Sequence, residues 1–138
     1  MQRAHLDITQ DLDGQTVVHA LFDLRDDEQA ATLHALSATV AEHYRTPSLS
    51  ADEVLELREL TALADELGQL AGTVVVTPAR LTLLCRTIER FVASRDAAEW
   101  VRDEDRQALE ALREMLPQLE RLCEEAVRAA LAPGSRVR

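Results

Sequence analysis

No lysine and no asparagine occurs anywhere in this chain of 138 residues, and aromatic side chains make up only 3% of it. With one Trp, one Tyr and two Phe, the stacking platforms that single-stranded nucleic acids lie on are effectively absent. The core must then come from Leu, Val, Ile and Ala, a composition that suits helix packed on helix. The missing Lys and Asn both have A-rich codons, which associates the chain with a GC-rich, bacterial genome; nothing physical demands their absence. Four glycines are too few for a glycine-rich phosphate loop. The two cysteines, Cys85 and Cys123, share no CxxC or metal-ligand spacing and fall on apolar stripes, so buried, reduced thiols are expected in place of a disulfide. No apolar run is long enough to span a bilayer. His5 and Asp7 stand where a signal peptide would need an apolar stretch, and the expected location is cytoplasmic, without membrane contact.

Charge of one sign is also scarce. Fifteen basic residues, all of them Arg, face 25 Asp and Glu, for a formal net charge of -10. Binding to a phosphate backbone is driven largely by Lys and Arg releasing condensed counterions, so nucleic acid is excluded as an expected partner. The tail Ser135, Arg136, Val137 and Arg138 is basic but makes only a small local field.

What is present reads as one domain over 1–138, large enough to bury roughly two-thirds of its unfolded surface. The fold class expected is mainly α within α+β: an N-terminal β-hairpin packed on a bundle of about four helices. The hairpin covers 4–24, with Asp13-Gly14 as its turn signal. A two-residue loop there would set even residues opposite odd ones. A three-residue loop, Leu12 to Gly14, with Gly14 left-handed as a bulge, sets even opposite even. The second register gathers Leu6, Ile8, Val18, Ala20, Phe22 and Leu24 on one face, and leaves His5, Asp7, Thr9, Val17, His19 and Asp23 on the other. It is preferred because a one-residue slip mixes the buried and wet faces. A lone hairpin is marginal in water and needs helices on its apolar face.

Helices are expected over about 27–45, 51–71, 78–94 and 104–131, a helical share well above the globular average of about a third. The first is capped by Asp26, with Gln29 at the reciprocal position of a capping box, and its stripe is Leu33, Leu36, Val40 and Tyr44. Pro47 ends it by disfavouring helical geometry at Thr46. Ser50 to Glu53 has full capping-box spacing and opens the second helix, whose buried side is Val54, Leu57, Leu60, Ala64, Leu67 and Leu70. Gly72 is placed to end it. Thr73 to Val76, a β-branched run, reads either as a third strand or as an extended plug in the core, and the plug is preferred. Thr77-Pro78 is an N-cap followed by proline at the first helical position, before the stripe Leu81, Leu84, Cys85, Ile88, Phe91 and Val92. Trp100 and Val101 are assigned to a short helical turn that covers one end of the core.

The last helix spans 28 residues, about 42 Å at about 1.5 Å per residue. Leu109, Leu112, Leu116, Leu119, Cys123, Ala126 and Ala130 repeat at steps of three and four, a seam of the coiled-coil kind. Met115, Leu122 and Val127 widen it. Pro117 bends this helix or breaks it. Pro133-Gly134 ends the ordered chain, leaving 133–138 as a flexible tail.

No residue cluster specifies a reaction. His19 opposite Asp7, with His5 beside them, could hold a proton or a weakly bound metal, but a solvated cross-strand pair accounts for the same residues. His34 and His43 stand nine residues apart and cannot share one ion. Glu53, Glu56 and Glu59 resemble one half of a magnesium-binding helix pair, yet no second Glu-x-x-Asp helix follows, and a wet face shared with Arg58 explains them. Cys85 as a nucleophile is opposed by its place in an apolar stripe. The expectation is therefore no catalytic residues, no metal and no cofactor. The function expected is a non-catalytic interaction or regulatory module, self-associating as a homodimer or binding another protein. Its contact would run through apolar helix surface, with Leu109, Leu112, Met115, Leu119 and Leu122 as interface candidates, through strand edges, or through both. The alternative is a small-molecule binder or small enzyme with a pocket between helices and hairpin, using Tyr44, Trp100, Arg80 or Arg86. A third reading, an acidic mask for a basic partner, predicts strongly salt-dependent binding.

Overall fold

The computed structural model describes residues 1–69 and 72–132. Strands β1 (Gln2–Gln10) and β2 (Thr16–Asp23) lead into helices α1 (Asp26–Arg45) and α2 (Ala51–Gly68); strand β3 (Thr73–Val76) follows, then α3 (Pro78–Asp96) and α4 (Asp103–Ala130). The result is α+β, a three-stranded antiparallel sheet in the order β1-β2-β3 packed against four helices. Helices cover one face of it, through contacts of α4 with β1 and β2 and of α3 with β2.

The hairpin adopts the even-on-even register, Leu6 opposite Ala20 and Ile8 opposite Val18. Its turn explains why. Gly14 has φ 75°, the left-handed conformation that glycine adopts without steric cost, and its N–H donates to the Asp11 carbonyl at 3.0 Å. The Asp11 Oδ1 accepts from the Asp13 and Gln15 N–H groups, both at 2.9 Å, so the aspartate side chain closes the loop locally. Val18, Ala20 and Phe22 are consequently buried.

Thr73 to Val76 is a strand, paired with β2 through Val76 opposite Ala20 and Val74 opposite Phe22. The preferred reading as a plug is corrected here. Alternation decides it: Val74 and Val76 are buried while Thr73 and Val75 are exposed, which is how a strand with one wet face behaves.

Helix ends follow local chemistry. Ser50 and Glu53 form the expected box, with the Glu53 N–H donating to Ser50 Oγ at 3.2 Å and the Ser50 N–H donating to Glu53 Oε1 at 3.1 Å. That bond from the Ser50 amide holds the Glu53 carboxyl below its ordinary pKa. Thr77 Oγ1 caps α3 by accepting from the Arg80 N–H at 3.2 Å, with Pro78 in the first turn. α1 departs from expectation. Its cap is Arg25, one residue earlier than Asp26, and the reciprocal acceptor is Glu28, which takes the Arg25 N–H at 3.0 Å. Gln29 turns away and donates to the Leu67 carbonyl at 2.6 Å. Glu28 is buried and also pairs with the ammonium of Met1.

The core joins Phe22, Leu36, Leu60, Leu63, Leu67, Leu81, Leu84, Ile88, Leu112 and Leu119. Two aromatic assignments are corrected. Tyr44 is 73% exposed at the end of α1, and Trp100 is 74% exposed in the non-helical link before α4; only Val101 of that link packs on the core. α4 runs without a break through Pro117. Leu70, the last residue assigned to the second helix's apolar side, and the tail 133–138 lie outside the described residues.

Candidate interaction surface

The five residues expected at an interface, Leu109, Leu112, Met115, Leu119 and Leu122, are all buried inside the subunit at 3% exposure or less. α4 packs against α1, α3 and the hairpin at once, so its apolar ladder is covered within a single chain. Those side chains leave no area for a second subunit, and a contact between subunits must draw on other residues. Leu116 and Cys123, counted in the seam, are only partly buried, and Ala108, Ala111, Met115 and Leu122 take their place.

The sheet has what α4 lacks. Its outer face carries His5, Asp7 and Thr9 from β1, Val17, His19, Leu21 and Asp23 from β2, and Thr73 and Val75 from β3. The rows across it run His5, Leu21, Val75; then Asp7, His19; then Thr9, Val17. Val75 is 53% exposed and Leu21 and Val17 half-buried, so an apolar centre sits among polar neighbours. Asp23 is held by the Thr73 hydroxyl, which donates to it at 2.7 Å. Asp7 and His19 do face each other, and no group of three His, Cys, Asp or Glu among the described residues could hold a metal.

Among the described residues β1 forms one border of the sheet, with no strand on its other side. The Asp11 N–H donates to the Gln15 carbonyl at 2.9 Å, so residue 11 points its backbone toward β2. In an antiparallel ladder this orientation alternates. Thr9, Asp7 and His5 therefore also face β2, and Leu6, Ile8 and Gln10 direct their N–H and C=O groups outward. Ile8 is 57% exposed, and Leu12 at the hairpin tip is fully exposed.

A second cluster joins residues far apart in sequence. His34 Nε2 lies 2.6 Å from Asp105 Oδ1, and Arg95 Nε donates to Asp105 Oδ2 at 3.2 Å. The hydrogen bond with His34, then the one from Arg95, hold the Asp105 carboxyl below its ordinary pKa against its partial burial. Arg95 also lies over the Phe91 ring, 4.4 Å from its centre. These groups border a cavity of about 440 Å³ that Arg45 and Arg102 also line. No spacing rule could have found this cluster, because its partners come from three helices.

Other acids and thiols are taken up by the fold. Glu56 pairs with His43 and Arg90, each at 3.5 Å, and Glu59 with Arg80 at 3.2 Å. The Cys85 thiol donates to Glu89 at 3.0 Å; burial, then that carboxylate, push its pKa far upward, which keeps it protonated and inert. Both cysteines are free. Arg80 is engaged with Glu59 and Glu66, and Tyr44 and Trp100 point to solvent, so three of the four residues suggested for a pocket are occupied or open. Among the described residues no helix is long and apolar enough to cross a membrane.

Comparison of the chain with family models, with characterised proteins and with solved structures finds no match.

Proposed function

We propose that this chain is a non-catalytic protein-interaction module that works as a homodimer, joined through its sheet. The observation that carries the proposal is the β1 border, where, among the described residues, no strand pairs with the outward backbone groups of Leu6, Ile8 and Gln10, and where Ile8 itself is more than half exposed. Strand borders of this kind are templates for another strand unless a protein blocks them. The burial of the α4 ladder supports the same reading by removing the competing contact. Light scattering over a range of concentrations tests it. A mass rising toward twice the 15.4 kDa of the chain is expected, and a mass that stays at one chain up to high concentration overturns the homodimer.

A second reading, a small-molecule binder, is favoured by one observation: the cavity of about 440 Å³ beside His34, Arg95 and Asp105. Its wall sets Arg45, Arg95 and Arg102 among Glu42, Glu104 and Asp105, a mixed polar lining that suits a small polar molecule. Native mass spectrometry of freshly purified protein would show the added mass, and its absence counts against this reading.

A further inference from the structure

We infer that two copies join by antiparallel pairing of β1 with β1, in the register that places Ile8 opposite Ile8 on a two-fold axis, giving one six-stranded sheet with both sets of helices on the same side. This rests on the homodimer reading and specifies its contact.

The usable border is short and bounded at both ends. Arg3 has φ 54°, rare for a residue with a side chain, and the register with β2 shifts between Gln2 and His5. That bulge twists the strand and stops regular pairing. At the other end the Asp11 turn begins. Between them lies His5 to Asp11, and its midpoint is Ile8.

Orientation of the backbone restricts the register further. Only even residues point their N–H and C=O groups outward, so a two-fold axis that falls between residues would set outward groups against inward ones and form no ladder. An axis on Ile8 pairs Ile8 with Ile8, Leu6 with Gln10 and Gln10 with Leu6. Each pair exchanges two N–H to C=O bonds at Cα separations of about 5.5 Å.

Charge then separates the remaining choices. With the axis on Ile8, Asp7 meets Thr9 and His5 meets Asp11, and no two acids are opposed. Moving the axis to Asp7 sets Asp7 against Asp7, and moving it to Thr9 sets Asp7 against Asp11; like charges directly opposite are destabilising. An axis on Leu6 runs the pairing into the Arg3 bulge. Only the Ile8 axis uses the whole regular border and covers the isoleucine that the helices leave out. A contact this small sits at the low end of specific interfaces, so the dimer dissociates on dilution.

Amide hydrogen exchange read residue by residue tests the register. At high concentration the Leu6, Ile8 and Gln10 amides should slow by about ten-fold or more relative to dilute protein, while His5, Asp7 and Thr9, bonded to β2 in either state, change little. A dimer in which those three even-numbered amides stay fast overturns the register and leaves the homodimer standing. A chain that stays monomeric overturns both. Ile8→Pro removes an outward N–H without touching the ladder to β2, and is expected to give a folded monomer. A folded Ile8→Pro protein that still dimerises contradicts the inference, and the exchange measurement on the native chain decides if the variant fails to fold.

Discussion

Asp105 takes a hydrogen bond from His34 and another from Arg95, and in doing so ties α4 to α1 and α3. Because its folded-state pKa is lowered, the stability it contributes is fully present above its unfolded value, near about pH 4, and is lost as pH falls through the folded value. Asp105→Asn should destabilise the neutral protein by about 1–2 kcal/mol. It should also flatten the acid limb of a denaturation curve measured below about pH 4. An acid limb as steep as that of the native chain would show that other carboxylates control the transition. Glu28 shows how the fold reassigns a residue: an acid in a first helical turn reads as a partner for the helix dipole, and only the approach of the N-terminal strand turns it into a buried ion pair with the Met1 ammonium.

At the scale of elements, local signals carried through where they were self-contained. Asp13-Gly14 with alternating neighbours set the hairpin register, and Ser50 with Glu53 and Thr77 with Pro78 set two helix starts, because each works within four residues. The α1 start falls one residue earlier than the sequence suggests, because Asp26, Asp27 and Glu28 all suit a first turn and the choice among them falls to which carboxylate reaches back to an amide. Trp100 and Val101 read as a short helical turn over one end of the core, yet the link there is not helical, and Val101 packs while Trp100 stays exposed. The α4 seam was legible as apolar but not as internal; whether a ladder is covered by its own chain depends on how α1, α3 and the hairpin gather round it. The sheet border, the better candidate for a contact, was legible in kind through β1 but not in extent, since the Arg3 bulge leaves no mark in the sequence. Pro117 offers a test on α4 itself. It is exposed on a helix that continues past it, and it cannot donate to the Arg113 carbonyl. Pro117→Ala should raise stability by about 1–3 kcal/mol in thermal unfolding; a loss would show that the packing of α4 depends on the proline ring at that position.

Over the whole molecule, the net charge of -10 acts against joining two copies. Repulsion between like-charged subunits is screened by salt, so the homodimer should tighten several-fold between low and physiological ionic strength. Weakening with salt, measured by sedimentation, would instead point to a contact built from opposite charges.

The pairing of β1 with β1 is most directly visible in a sample mixed from isotope-labelled and unlabelled copies. In the Ile8-centred register, Asp7 of one copy and Thr9 of the other form a non-hydrogen-bonded pair with Cα atoms about 4.5 Å apart. Within one strand the same residues are about 7 Å apart. An isotope-filtered nuclear Overhauser contact between the Asp7 and Thr9 α-protons of different copies is predicted. Contacts between copies that involve only helix residues, or none at all, would contradict the account.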